Sequence, residues 1–127
     1  MGLERSGAVG GDGLAVAGMA NTQEQMSSNL GVQFFTQPLL VKNMPTLRAL
    51  LSPVVNPNGI TVDLQITIRA ANGPNILDWR TVQSVVLGPG APNTLLQFTF
   101  PADFFRVGIT PAAAVLHTWD VLFGCSI

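Results

Sequence analysis

The chain has 127 residues, of which 47% are hydrophobic and 10% charged, and its formal net charge is -1. This is the length of one domain. Sequence-independent nucleic-acid binding needs several Lys or Arg to neutralise phosphates, and here Lys42, Arg48, Arg69, Arg80 and Arg106 are spread out rather than blocked together. The same scatter excludes a basic amphipathic membrane anchor, and no apolar run approaches the roughly 18 residues that span a bilayer.

Soluble domains typically carry about 25% charged residues. The water-facing surface must therefore be built from Thr, Gln, Asn, Ser, Gly and backbone. A surface so poor in charge suits a protein covered by neighbours in an assembly. It equally suits a sandwich whose exposed face is rich in Thr and Gln. Cys125 is the single cysteine, so no internal disulfide is possible. That fits a reducing compartment or a particle assembled in cytoplasm. The apolar run at 14–20 is short for a signal-peptide core, and only Arg5 precedes it as a cation. No signal peptide is expected.

Residues 1–30 are rich in Gly, Ala, Ser, Asn and Gln and lack Phe, Trp and Ile. Such a segment buries too little apolar surface to offset its ordering entropy. The expectation is a flexible N-terminal arm over 1–30, with one weak helical turn near 21–28, ordered only against a partner. A sandwich domain over 31–127 follows. From Gly31 onward, short apolar runs are divided by Gln37-Pro38, Met44-Pro45, Ser52-Pro53, Asn56-Pro57-Asn58-Gly59, Asn72-Gly73-Pro74, Gly88-Pro89-Gly90, Phe100-Pro101 and Thr110-Pro111. Each marks a turn or a strand end.

The stretch 32–36 is aromatic and β-branched and reads as a strand, whereas 46–51 fits either a strand or one helical turn. The clearest strand is 60–69. There Ile60, Val62, Leu64, Ile66 and Ile68 alternate strictly with Thr61, Asp63, Gln65, Thr67 and Arg69, so one face meets a core and the other is polar. Further strands are expected at 79–87, 94–100, 104–109 and 115–123. Seven or eight strands with regular breaks predict an all-β protein, an antiparallel β-sandwich or jelly-roll-like fold.

Few residues offer chemistry. His117 is the only histidine, so a histidine-based metal site is excluded. Thr118 and Asp120 take the opposite strand face from His117 and cannot form a local dyad with it. A side chain at a sheet face with one hydrogen-bond partner is the expected role. Cys125 has no electropositive or helix-terminal setting to lower its pKa and reads as a buried or incidental thiol. Asn72, Asn75 and Asp78 are the nearest set to a calcium loop, but their spacing matches none. The glycines over 7–13 follow no strand and make a poor phosphate cradle. Trp79 and Trp119 could stack on sugar rings if exposed, but a strand tryptophan is more often core. No catalytic, cofactor-binding or metal-binding residue is assigned, and no enzyme is expected.

The run Ile66 to Val85 (I-T-I-R-A-A-N-G-P-N-I-L-D-W-R-T-V-Q-S-V) resembles small β-sandwich modules of phage virion proteins, of the capsid-decoration or cement type, and some sugar-binding sandwiches. Asn72-Gly73 matches their polar turn, and Trp79 the aromatic that opens the next strand. Phe104-Phe105-Arg106-Val107-Gly108-Ile109 is similar to their later aromatic-x-Arg-Val strand. Pro74 departs from the turn of those modules, so the fold carries over and no binding residue does. The resemblance implies a structural virion protein, a decoration protein that binds and stabilises a capsid surface, assembled in host cytoplasm. Its expected partners are capsid protein or another virion protein and further copies of itself, with a trimer the form such proteins often take. The alternative is a carbohydrate-binding module of a tail, fibre or surface protein, which would need Trp79 or Trp119 exposed.

Overall fold

The structure is a computed structural model that describes residues 15–16, 19–68 and 79–127. Ten strands are present among the described residues: β1 (Ala15–Val16), β2 (Met19–Ser28), β3 (Phe34–Phe35), β4 (Leu39–Leu40), β5 (Thr46–Val55), β6 (Ile60–Thr67), β7 (Arg80–Leu87), β8 (Thr94–Thr99), β9 (Phe104–Pro111) and β10 (His117–Ser126). They form two five-stranded antiparallel sheets packed as a β-sandwich. The first runs β1-β2-β10-β5-β8. The second runs β3-β9-β6-β7, with β4 also pairing β9. All peptide bonds among the described residues are trans.

The period-two pattern sets the core. On β6, Ile60, Val62, Leu64 and Ile66 are buried, and on β9 so are Phe105, Val107 and Ile109. Facing them from the first sheet are Leu47, Ala49 and Leu51 of β5, Leu96 of β8, and Trp119, Val121, Phe123 and Cys125 of β10. Full burial of each large apolar side chain is worth about 1.5–3 kcal/mol. Phe105 and Phe123 meet edge to face across the two sheets, with ring centroids 6.2 Å apart.

Four details differ from the sequence pattern. The expected arm does not extend to residue 30, because Met19–Ser28 is a strand paired along its whole length with β10. No helical turn forms at 21–28. The pattern is masked there because the inward positions are Ala20, Thr22, Glu24 and Met26, and only Met26 is fully buried. Residues 1–14 lie outside the described residues. Ile68 is exposed, since β6 ends at Thr67 and the chain leaves the sheet. The segment at 46 is a ten-residue strand with Pro53 inside it. β8 pairs only with Thr46–Leu51, so Pro53 stands beyond the doubly paired stretch, beside a register shift at Thr118/Trp119, where a missing donor is tolerated. The first strand after Gly31 is cut into β3 and β4 at Gln37-Pro38, and both pieces pair with β9. Thr36 bridges the break: its N–H donates to the Val107 carbonyl and its hydroxyl accepts from the Val107 N–H.

Candidate functional site

Among the described residues, the side chains able to do acid–base or nucleophilic chemistry do not converge. His117 is fully buried on the inward face of β10. Its Nδ1 donates to the Val115 carbonyl at 2.8 Å, and its Nε2 is buried with no partner among the described residues. Thr118 and Asp120 lie on the outer face, where Thr118 shares a hydrogen bond with Ser27 and Asp120 accepts from Gln25. Cys125 is buried, its thiol 3.8 Å from the Met44 sulfur. Burial pushes this thiol above its ordinary pKa, against smaller opposing effects from the Ala20 backbone and the Arg48 charge. Among the described residues no three His, Cys, Asp or Glu side chains come together. Asn72, Asn75 and Asp78, the calcium candidates, lie outside the described residues.

Both tryptophans are covered. Trp119 has no exposed surface and sits in the core, and Trp79 is 8% exposed. Neither offers an open ring face, so the aromatic platform that the sugar-stacking alternative requires is missing.

Two surfaces stand out. The first is one end of the sandwich. There β2 and β5 end and β10 begins, side by side in one sheet. The connecting segments are tied together. Asn56 donates to the Gly88 carbonyl and accepts from the Gly59 N–H, and the Ala112 N–H donates to the Gly59 carbonyl. Gly31 lies against Ala114, so that a Cβ there would stand 3.1 Å from the Ala114 Cα. None of residues 29–33, 53–59, 88–93 or 112–116 is Asp, Glu, Lys or Arg. Leu30, Val32, Val54, Val55, Val115 and Leu116 project from this tip, each between 38% and 68% exposed.

The second surface is the outer face of the second sheet. Arg106 of β9 lies over two rings, its guanidinium carbon 3.6 Å from the Phe35 centroid and 4.3 Å from the Trp79 centroid. Its Nε donates to Gln65 Oε1 at 2.8 Å, and Gln65 Nε2 donates to the Thr81 hydroxyl. Asp63, also on β6, accepts from Gln33 Nε2 at 2.7 Å and from the Ser84 hydroxyl at 2.7 Å. Gly108 makes this possible, because a Cβ there would come within 2.9 Å of both the Phe35 ring and Gln33 Nε2. Desolvation lowers the Arg106 pKa from its usual value, but an arginine stays charged. The sequence shows this cluster only as the polar parity of two strands, Asp63 and Gln65 on one and Arg106 and Gly108 on the other. The stacking partners come from Phe35 and Trp79, distant in the chain, and nothing local announces them.

No family model and no curated protein matches the chain. Its fold is similar to several solved structures. The Yersinia pseudotuberculosis-derived mitogen superposes with a TM-score of 0.52 at 10% identity, over 84% of this chain and 86% of that one. Aeromonas hydrophila PliG, a periplasmic inhibitor of g-type lysozyme, gives 0.51 at 11% identity over 86% and 87%. The disulfide-linked pili of Bacillus endospore appendages give 0.50 at 10% identity over 86% and 87%. At these identities the likeness is one of fold: a small β-sandwich used as a scaffold in unrelated settings.

Proposed function

We propose that this chain is a non-catalytic structural protein that seats its uncharged tip on another protein, as a decoration (cement) subunit of a virion surface. The carrying observation is the tip itself, with six exposed aliphatic side chains and no charged residue in any of its four segments. Burying a charge is costly unless it is paired. A surface without charges avoids that cost, and its aliphatic groups gain from leaving water. Exposed apolar patches rimmed by polar groups mark interaction sites. Membrane-interface contacts favour Trp, Tyr, Lys and Arg at the headgroup level. The tip segments have none of these, which favours a protein partner over lipid.

Neighbouring copies are a natural corollary. β7 is an eight-residue edge strand whose one charged side chain is Arg80, and its Val86 is largely exposed. Unprotected edges invite pairing. The decisive experiment is rebinding to particles from the native source that have been stripped of the chain. Wild type should return to the particle surface, while Val32→Lys/Leu116→Lys, with an unchanged melting temperature, should not. Equal rebinding by the double variant would remove the tip from the interface. Absence of the chain from purified particles would end the virion assignment.

A further inference from the structure

We infer that the outer face of the second sheet is a binding site for a single carboxylate carried on a hydroxyl-rich ligand, that is, a uronic-acid-type sugar residue gripped by Arg106.

The argument starts from what Arg106 has left to offer. A guanidinium carries five N–H donors in a planar fork. Its guanidinium carbon lies over the Phe35 and Trp79 rings, and its Nε–H is held by Gln65. Among the described residues, the terminal Nη1 and Nη2 groups make no hydrogen bond or ion pair, the Nε–H to Gln65 being the one hydrogen bond of this side chain. What remains is the bidentate edge, fixed in orientation by three contacts. That edge matches a carboxylate. Stacking pre-organises the side chain, so little rotamer freedom is lost when a ligand arrives. A cation held only for packing could be replaced by an apolar residue. Here the chain instead keeps a half-buried charge whose terminal donors are unspent among the described residues.

The surroundings narrow the ligand. Among the described residues Asp63 is the one acidic side chain of this cluster, beside Arg106 and Arg80, which donates to the Trp79 carbonyl, and Asp63 already accepts from Gln33 and Ser84. A polyanion such as an acidic peptide or nucleic acid would bring further negative charge against Asp63. One carboxylate on an otherwise neutral ligand would not. The other polar groups are amides and hydroxyls. Thr81 accepts from Gln65 and Gln33 donates to Asp63, while among the described residues the Thr81 hydroxyl hydrogen and the Gln33 side-chain carbonyl oxygen make no hydrogen bond. These suit sugar hydroxyls. The mode differs from ring stacking on an open tryptophan, since Trp79 is occupied by the arginine.

The inference is independent of the assembly reading and is tested on the isolated chain. Two-dimensional NMR would follow the Arg106 Nε–Hε signal and the backbone amides of Gln65 and Thr81 during titration. The probes are a glucuronate-containing disaccharide, its neutral glucose counterpart and a glutamate-containing peptide. The acidic sugar should move all three signals, and Arg106→Lys, which keeps the charge but loses the fork, should weaken binding by about tenfold or more. Phe35→Leu, which leaves Arg106 in place without one of its stacking rings, should weaken it less. Equal binding of the neutral sugar, unchanged binding in Arg106→Lys, or no movement of the Arg106 signal in wild type would overturn the site. Response to the peptide but not the sugar would overturn the ligand class.

Discussion

The contact between Phe105 and Phe123 offers a direct measure of whether the two sheets cohere as described. Phe105 belongs to β9 in the second sheet and Phe123 to β10 in the first. Both are essentially without exposed surface, and their rings cross at 76° with centroids 6.2 Å apart. Phe105 makes a second edge-to-face contact with Phe98, at 6.0 Å. Truncation to alanine would cost about 3–5 kcal/mol, a large share of the total stability of order 5–15 kcal/mol expected of a domain. Leucine is the better probe, because it keeps most of the apolar burial and removes the ring. Each single Phe→Leu change should cost about 1–1.5 kcal/mol, lowering the melting temperature by roughly 4 °C per kcal/mol for a domain of this size. In a double-mutant cycle read by urea unfolding, the two changes should couple by about 0.5–1.5 kcal/mol. Coupling below about 0.3 kcal/mol, the ordinary scatter of independent sites, would mean that these rings do not touch, and the packing of the two sheets would need redrawing.

Ile66→Ala on β6 should cost about 2–5 kcal/mol in the same urea assay, and a change under about 0.5 kcal/mol would show that the alternation was misread. Removing residues 1–28 takes β2 with it and exposes one side of β10. The loss of Met26 burial alone, about 1.5–3 kcal/mol, should lower the melting temperature by at least about 6 °C; an unchanged value would place β2 outside the folded unit. Glu24 points inward on β2, where burial raises its pKa and the Gln37 N–H donating to it opposes the rise. The folded state therefore holds the Glu24 proton more tightly, so stability from this group is present at low pH and lost as pH rises through the ordinary glutamate range. Glu24→Gln should be more stable than wild type at pH 7, with the advantage fading below about pH 4 in pH-dependent melts. Cys125 should resist a thiol-reactive dye in the native protein and react once urea unfolds it; rapid native labelling would contradict its burial.

The parts of this fold that were legible in the sequence are those where one side of a strand is fully apolar. On β6 and β9 every second residue is a large hydrocarbon, so the pattern names both the strand and its buried face. On β10 the same parity places His117, Trp119, Val121 and Phe123 inside. β2 was not legible because its inward side is mostly small or polar. Its place is fixed by ten paired residues of β10, a relation between the two ends of the chain that no local window contains. The end of β6 at Thr67 was also hidden, because Ile68 continues the alternation although it lies outside the strand and is exposed. The candidate sites were legible only in part. That few charges exist can be read from composition, whereas their exclusion from one tip depends on which loops the topology gathers there. The Arg106 cluster needs Phe35, Gly108 and Trp79 brought together from three separate segments.

The two surfaces lie far enough apart to be used at once. Gln65, which holds Arg106, is five residues along β6 from Ile60 at the tip end of the strand. At about 3.3 Å per residue this places the guanidinium on the order of 16 Å from the tip along the strand axis. The tip segments close the end of the sandwich, while the arginine fork opens from its broad side. A subunit seated by its tip would bury aliphatic surface against its support and leave Phe35 and Arg106 facing outward. The division follows from the chain's chemistry. With so few charges available, the chain keeps none in the four segments proposed for burial. It places one of its few cations, stacked and oriented, on a face that such seating leaves in water.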